Sequence, residues 1–237
     1  MYGAQSARIY EAQHRERGKD YVAEAKDVVR EIHARMPAAR SVLDVACGTG
    51  GHAGPFTEVF DEVQGLELSE PMLELAREAL PGVPLHQGDM RDFDLGRVFD
   101  AVTCLFASIG YVGSEDELRA AIRTFARHTA PGGVVAVEPW WFPETFLDKH
   151  VSGDVVRVDG VTVARVSHTV RDGDASRMEV RYLTADPEKG ISSFSETHRA
   201  MLFTRESYEA AFRDAGLTVD YVPGVQCGRG LFVGVRR

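Results

Sequence analysis

Short, nearly continuous apolar runs alternate with helical patterns from Asp20 to about Pro139. Five runs are rich in valine and leucine and have the length of strands: Ser41–Ala46, Glu62–Glu67, Pro84–Gln87, Ala101–Ala107 and Gly133–Glu138. Runs of this kind are typical of strands that are covered on both faces. Helical periodicity separates them at Val22–Arg35, Glu70–Leu80 and Glu115–His128. The alternation predicts an α/β fold with a parallel, doubly wound sheet.

Two of the predicted helices carry start signals. Ser69 stands before Pro71, which gives an N-cap residue followed by a proline in the first turn. Ser114 precedes Glu117 with the spacing of a capping box. These signals mark the beginnings of helices that would cover the sheet.

After Pro139 the apolar and polar residues partly alternate. Four strand-like segments follow, at Val155–Val158, Val161–Val170, Arg177–Leu183 and Ile191–Phe203. Turn signals lie between them, at Asp159-Gly160, Asp172-Gly173 and Lys189-Gly190. Alternation indicates strands with one solvated face, so we predict an antiparallel β insertion that Pro143–Asp154 connects to the preceding part.

The chain then returns to its first pattern, with a helix and two strands: Arg205–Ala215, Thr218–Val222 and Leu231–Val235. We therefore predict a core of residues 1–145 and 204–237 that is interrupted by an insertion at 146–203. The insertion would serve the substrate or a dimer contact, and we do not expect it to fold alone.

Charge and cysteine content narrow the function classes. The 237 residues carry a formal net charge of −9, which argues against a general nucleic-acid or membrane-surface binder but allows a small patch for one diphosphate. The three cysteines are scattered, which indicates a reducing cytoplasm rather than a disulfide framework. No apolar run is long enough for a membrane span, and the first residues are not signal-like.

The strongest chemical signal is a glycine-rich turn after the first predicted strand. The segment Val42–Gly51 places Asp44 within the end of a buried strand, before Gly48 and Gly50. Glycine allows the backbone to turn sharply and to approach a ligand closely, because no Cβ intervenes. A glycine-rich turn alone would also fit an ordinary strand–helix corner. Its function therefore has to be inferred from the residues at the ends of the next strands.

Two further signals lie at the ends of the next strands. Glu67 ends the second predicted strand, where a carboxylate can accept hydrogen bonds from both hydroxyls of a ribose. Asp89 and Met90 follow the third, where a short acid and a thioether could flank an adenine ring. The three elements, in this order at adjacent strand ends, indicate a nucleotide pocket.

A nicotinamide or flavin site is the main alternative. The segment from Gly48 to Ala53 formally satisfies the relaxed dinucleotide fingerprint. That fingerprint usually opens its domain, whereas a full predicted helix precedes the turn here. An acid at the position of Asp44 is also foreign to it, so this alternative is weaker.

The three elements resemble the class I S-adenosylmethionine-dependent methyltransferases. The resemblance implies a Rossmann-like sheet with a reversed last strand, and a pocket in which Asp44 and the glycine turn face the methionine portion. It places Glu67 at the ribose, and Asp89 with Met90 at the adenine. The full set of expected cofactor residues is Tyr10, Arg17, Tyr21, Asp44, Cys47, Gly48, Gly50, Glu67, Leu68, Asp89, Met90 and Phe106.

Longer motifs resemble one narrow subgroup, the N,N-dimethyltransferases that act on thymidine-diphosphate 3-amino deoxysugars of macrolide antibiotics. The likeness covers essentially the whole chain. Its motifs are Arg17–Tyr21, Leu66–Ser69, His86–Phe93, Val137–Glu144 and Gly228–Phe232. The subgroup is expected to act in the cytoplasm as a homodimer on a nucleotide-sugar, with no nucleic acid, membrane or metal partner.

The resemblance also suggests residues for the acceptor side. Tyr2, Tyr10 and Tyr111 would border the methyl-transfer centre, and Tyr111 or Glu138 could act as a base. Some members carry histidine at the position of Tyr111, so an imidazole base is not obligatory. Substrate contacts are expected from Tyr2, Trp140, Trp141 and Arg229, the last as a fork of donors for a diphosphate.

Two other functions stay open. The same cofactor could serve O- or C-methylation or a small free amine, and a non-catalytic domain could bind the cofactor or its product. Four scattered histidines are His52, His86, His168 and His198. They show no metal-ligand spacing, so no metal is expected.

Overall fold

The computed structural model describes residues 9, 13–14, 17–158 and 160–237. The first half contains α1 (Tyr21–Arg35), β1 (Ser41–Val45), α2 (Ala53–Thr57), β2 (Glu62–Glu67), α3 (Glu70–Ala79), β3 (Leu85–Gln87), β4 (Phe99–Cys104), a 3-10 helix (Ser108–Tyr111), α4 (Glu115–Arg127) and β5 (Thr129–Val137). The second half contains β6 (His150–Val158), β7 (Val161–Asp172), β8 (Ala175–Asp186), β9 (Gly190–Met201), α5 (Arg205–Asp214), β10 (Leu217–Val222) and β11 (Leu231–Arg236).

The larger sheet has seven strands in the order β3-β2-β1-β4-β5-β11-β10. The five strands from β1 to β5 run parallel, and β11 runs antiparallel to both of its neighbours. This confirms the predicted doubly wound sheet with a reversed last strand. The strand order reverses between β1 and β4, which is where open α/β sheets bind their ligands.

Apolar residues on both faces of this sheet make two cores. One face packs Phe125 of α4 and Phe212 of α5 against strand residues such as Val102. The other packs Ile32 of α1 and Phe56 of α2 against the same sheet. Coverage on both faces explains why these strands are nearly continuous in apolar residues. No helix in the described ranges combines the length and apolar character that a bilayer span needs.

The helix starts follow the local sequence. The Ser114 hydroxyl accepts a hydrogen bond from the Glu117 backbone at 3.2 Å, as the capping spacing predicts. Asp20 caps α1 in the same way through Ala23. Ser69 stands at the N-cap of α3 with Pro71 in the first turn, as predicted.

Two predicted strands end earlier than expected. The strand predicted to run to Ala46 ends at Val45, and the one predicted to run to Ala107 ends at Cys104. Ala46, Phe106 and Ala107 have φ of 57°, 52° and 59°, in the left-handed region that favours glycine. These strained turns lie at the carboxyl edge of the sheet, where they direct backbone and side chains toward one place.

The second sheet is antiparallel, in the order β6-β7-β8-β9. Its first strand begins at His150, so the predicted connector Pro143–Asp154 is wrong in its second half. The inner face is apolar at one end, with Val163 and Tyr182, and polar at the other. The first part of β6 was not predicted as a strand because inward residues such as Ser152 are polar, so the segment contains no apolar run.

Candidate active site

Asp44 lies inside the sheet at the end of β1. Only 2% of the residue is exposed, and its carboxylate accepts a hydrogen bond from the Thr103 hydroxyl at 2.8 Å. Burial raises the pKa of Asp44 to about 6, the nearby Glu67 carboxylate adds to the rise, and His52 and Thr103 oppose it. A cationic ligand group at this strand end would stabilise the ionised form of the Asp44 carboxyl.

The turn after β1 needs its glycines for two different reasons. Gly48 and Gly50 have φ of +59° and +89°, which other residues rarely adopt. At Gly50 a Cβ would also lie 2.6 Å from the Leu80 side chain. The turn therefore packs tightly against α3, while Gly48 remains open to a ligand.

Glu67 connects the tips of two neighbouring strands. One carboxylate oxygen accepts from the Gly48 backbone N–H at 3.0 Å, and the other from the Ser69 backbone N–H at 2.8 Å. Each oxygen keeps a further lone-pair direction for a ligand hydroxyl. Glu67 thus holds the glycine turn in place and can grip a diol at the same edge.

A cavity of about 120 Å³ adjoins this edge. Its lining includes Leu68, Asp89, Met90 and Tyr111. Arg91, which the sequence analysis did not select, donates to both oxygens of Asp89 through Nε, at 3.0 and 3.1 Å. The hydrogen bond from Arg91 holds the pKa of Asp89 below its usual value, so the carboxylate is a fixed acceptor in the wall of this cavity.

A larger cavity of about 410 Å³ lies between the two sheets and includes Tyr111 in its wall as well. Its aromatic lining includes Phe106, Trp140 and Trp141. The Trp140 indole donates to Ser176 of β8 at 2.9 Å, which fixes the ring across the junction of the sheets. Tyr111 therefore borders both cavities.

Glu138 and Arg229 form a buried pair beside the larger cavity, with Arg229 in the cavity wall and Glu138 behind it. Glu138 is 0% exposed and accepts from Arg229 Nε at 2.9 Å, from Arg229 Nη2, and from the Phe106 backbone N–H at 2.6 Å. A carboxylate engaged by these donors is poorly suited to the base role predicted for it. The Arg229 fork is likewise occupied by Glu138, so it differs from the free diphosphate fork that the sequence suggested.

The free cationic character of the larger cavity comes from Arg165 of β7, which sequence reasoning missed. Arg165 is 6% exposed and donates to the Ser167 hydroxyl at 3.1 Å. Within the described part of the chain, no carboxylate oxygen lies within 4.0 Å of its guanidinium nitrogens. Its only signal in the sequence is alternation, because it shares the inner face with Val163 and Ser167.

Other cations in the same wall are partly neutralised. Lys19 pairs with Glu24 and lies 3.6 Å from the centre of the Phe106 ring. Arg17 Nε lies 3.5 Å from Asp154 Oδ1. These cations also act on His14, which lines the same cavity. The pKa of His14 is lowered to about 3, first by burial and then by the cations Arg17, Arg165, Lys19 and Arg229. The cavity is a positive environment, suited to an anionic ligand.

The remaining predicted cofactor residues divide into three groups. Tyr21 lies under the glycine turn, where its ring would collide with a Cβ on Gly51, and it contacts Phe106 edge-on. Cys47 is buried, and burial raises the pKa of its thiol, which suits a packing residue. Tyr10 lies outside the described residues, as does Tyr2, which was predicted for the acceptor side. Among the described residues, no group of three His, Cys, Asp or Glu side chains could hold a metal.

Comparison with known proteins identifies the family. A methyltransferase domain model matches residues 42–133. The dTDP-3-amino-3,4,6-trideoxy-alpha-D-glucopyranose N,N-dimethyltransferase of Streptomyces venezuelae is 57% identical over 235 residues, 99% of both chains. The dTDP-4-amino-2,3,4,6-tetradeoxy-D-glucose N,N-dimethyltransferase of Saccharopolyspora spinosa is 49% identical, over 100% of this chain and 94% of its own.

A solved structure agrees with this assignment. The SAM-bound structure of CalS10, an amino pentose methyltransferase from Micromonospora echinaspora, is 51% identical, with a TM-score of 0.89 over 100% of this chain and 98% of that one. The strand order and the reversed β11 are those of a class I methyltransferase. The chain therefore belongs to the sugar N,N-dimethyltransferases, a family of S-adenosylmethionine-dependent methyltransferases.

Proposed function

We propose that this enzyme dimethylates the 3-amino group of a thymidine-diphosphate-linked amino deoxysugar, in the biosynthesis of an antibiotic sugar. The observation that carries the proposal is the position of Tyr111, in the wall of both the strand-tip cavity and the larger, positive cavity. A methyl donor in the first and an anionic acceptor in the second would meet beside this side chain. The names of the relatives, which act on 3-amino and 4-amino sugars, support the substrate class.

The residues at the strand tips suit S-adenosylmethionine. Asp44 would face the ammonium of the methionine portion, and the open backbone at Gly48 would allow its close approach. Glu67 would accept from the ribose hydroxyls through its remaining lone pairs. Asp89 and Met90 would border the adenine in the smaller cavity.

The larger cavity suits a nucleoside diphosphate sugar. Arg165 supplies a buried guanidinium without a carboxylate partner among the described residues, and a diphosphate offers the anionic oxygens that such a fork prefers. Trp140, Trp141 and Phe106 supply an apolar wall for rings. Arg229, held by Glu138, would shape this wall rather than grip the diphosphate.

Catalysis would consist mainly of positioning. The cofactor supplies a methyl group that is already activated on a sulfonium, so the protein need not provide a nucleophile. The amine nitrogen would form the new N–C bond while the S–C bond breaks and S-adenosylhomocysteine leaves. The product ammonium would then lose a proton, and a second S-adenosylmethionine would bind before the second transfer. Orientation of two reactants can contribute roughly 7–11 kcal/mol.

Release of S-adenosylhomocysteine tests the proposed function. With a thymidine-diphosphate 3-amino-3,6-dideoxyhexose we expect two equivalents per sugar, and none with the matched sugar that carries a hydroxyl in place of the amine. Equal release from the hydroxyl sugar would favour O-methylation. No release from any acceptor would favour a non-catalytic binding protein.

Loss of the Arg165 charge should weaken acceptor binding. We expect Arg165→Gln to raise the KM for the nucleotide sugar by about ten- to hundredfold, since a hydrogen bond to a charged group contributes about 1.5–3 kcal/mol. Arg123→Gln on α4, which is exposed and lines neither cavity, is the matched control and should leave KM unchanged. Equal effects of the two substitutions would remove Arg165 from the binding site.

Binding of the cofactor should depend on pH through Asp44. Its pKa of about 6 means that the free enzyme holds a proton there at pH 5 and loses it by pH 7. A cationic ammonium favours the ionised form, so the affinity for S-adenosylmethionine should rise as the pH increases through 6. Calorimetry at pH 5 and 7 should show this rise in the wild type and a flat response in Asp44→Asn. An identical rise in the variant would contradict the assignment.

We also propose that the enzyme is a cytoplasmic homodimer that pairs through the outer face of the second sheet. Exposed apolar side chains on that face support the contact: Val151, Val155, Val166, Leu183 and Ile191. Light scattering should give twice the chain mass for the wild type and the chain mass for Val166→Glu. A monomeric wild type at micromolar concentration would contradict the proposal.

A further inference from the structure

We propose that His198 and Glu196 orient the Tyr111 hydroxyl so that its oxygen accepts a hydrogen bond from the reacting amine. This inference rests on the proposed function, since it assigns the acceptor nitrogen to the junction of the two cavities. It concerns a side chain, His198, whose sequence context suggested no role.

The three side chains form a chain of contacts. Tyr111 ends the 3-10 helix, and its hydroxyl lies 3.2 Å from His198 Nδ1 on β9. His198 Nε2 lies 3.4 Å from Glu196 Oε2, on the same face of the same strand. The side chains of His198 and Glu196 are only 5% and 13% exposed, whereas Tyr111 is 45% exposed. The buried pair is fixed, and the exposed end of the chain faces the cavities.

The position of Glu196 decides which imidazole nitrogen carries the hydrogen. A carboxylate oxygen favours an N–H on the ring nitrogen that it faces, here Nε2. Nδ1 of the neutral ring then has a lone pair and can only accept. The Tyr111 hydroxyl would therefore donate toward His198, into the protein, and a hydroxyl oxygen that donates its hydrogen can still accept from a ligand in the cavity.

This orientation matters for a nitrogen nucleophile. The amine uses its single lone pair to attack the methyl carbon, so its N–H groups need acceptors elsewhere. A tyrosine oxygen whose own hydrogen is held by His198 is such an acceptor. It would rotate the lone pair of the amine toward the cofactor, and would do so again for the secondary amine before the second transfer. His198 and Glu196 act through Tyr111 and are positioning residues.

A double-substitution cycle tests the coupling. We expect Tyr111→Phe and His198→Ala each to lower kcat by about three- to tenfold with little change in KM, as for the loss of a neutral hydrogen bond. Combining them should cause no further loss, because both remove the same oriented oxygen. His198→Asn places an amide oxygen near the Nδ1 position and should restore most of the rate of the alanine variant.

Three kinetic results would overturn the inference. The first is a double variant whose loss of kcat is the product of the two single losses, and the second is a His198→Asn variant as slow as His198→Ala. The third is a loss of kcat of several thousandfold in Tyr111→Phe, which would identify an essential base. Wild-type turnover is measured first, so failure of the proposed function is seen separately.

A readout that needs no substrate completes the test. In ¹⁵N-resolved spectra of the intact enzyme, assigned with His198→Asn, His198 should be protonated on Nε2 and bare on Nδ1. Substitution of Glu196 by Gln should shift hydrogen population toward Nδ1. A wild-type ring protonated on Nδ1 would contradict the orientation even if the enzyme is fully active.

Discussion

We expect the replacement of Glu67 with alanine to weaken the binding of S-adenosylmethionine by about ten- to hundredfold. The carboxylate would lose charge-assisted hydrogen bonds to the ribose, which are worth about 1.5–3 kcal/mol. The substitution would also leave the backbone N–H groups of Gly48 and Ser69 without their acceptor, so the glycine turn would lose its fixed position. Calorimetric titration of the folded variant measures the effect directly.

The same strand provides a matched control. Glu62 begins β2, and its carboxylate pairs with Arg97 at 2.6 Å, away from the strand tips. Glu62→Ala removes the same type of charge from the same strand and should leave cofactor affinity within about twofold. If both variants bind the cofactor like the wild type, Glu67 lies outside the site.

Replacing Glu138 with alanine should destabilise the fold by about 3–5 kcal/mol, because it leaves the buried guanidinium of Arg229 without its carboxylate. The pair is enclosed, with side-chain exposures of 0% for Glu138 and 8% for Arg229. The Phe106 backbone N–H would lose its acceptor as well, at a strained turn in the cavity wall. Denaturant unfolding, followed by circular dichroism, measures the decrease in the free energy of unfolding.

An exposed ion pair is the control for this second prediction. Glu70 and Arg77 contact each other at 2.7 Å with side chains 42% and 46% exposed, so Glu70→Ala should cost under about 1 kcal/mol. A Glu138→Ala enzyme of unchanged stability but greatly reduced kcat would instead restore the role of base that the sequence suggested for Glu138.

The sequence predicted the features that depend on local pattern. Continuous apolar runs identified the strands from β1 to β5, and Asp44, Gly48 and Glu67 marked the tips where the parallel strands meet. Their meeting follows from the topology, because parallel strands end at one edge of the sheet. The family and the cofactor, both inferred from motifs at those tips, are confirmed by the relatives. The individual site residues stay predictions.

The sequence could not reveal pairings between distant elements. Glu138 and Arg229 are separated by 91 positions, and only the fold places Arg229 Nε 2.9 Å from the carboxylate. Tyr111 and His198 likewise meet because β9 packs against the 3-10 helix. Arg165 stands in an alternating strand like many surface arginines, and its separation from the carboxylates of the described residues is a property of the assembled cavity.

Strand ends were missed for a local physical reason. Nothing in Leu105 to Ala107 signals a turn by composition, since alanine and phenylalanine rarely adopt positive φ. The strain is imposed by tertiary packing at the carboxyl edge. It turns the chain so that the Phe106 ring faces the larger cavity and its backbone N–H binds Glu138.

The product formed from a thymidine-diphosphate 3-amino-3,6-dideoxyhexose and S-adenosylmethionine gives the most direct test, by mass spectrometry with fragmentation. We expect a gain of two methyl groups, both on the sugar nitrogen, with the singly methylated species appearing first. Methyl groups on oxygen or carbon, or an unmodified sugar after long incubation with folded, cofactor-loaded enzyme, would contradict the proposed reaction.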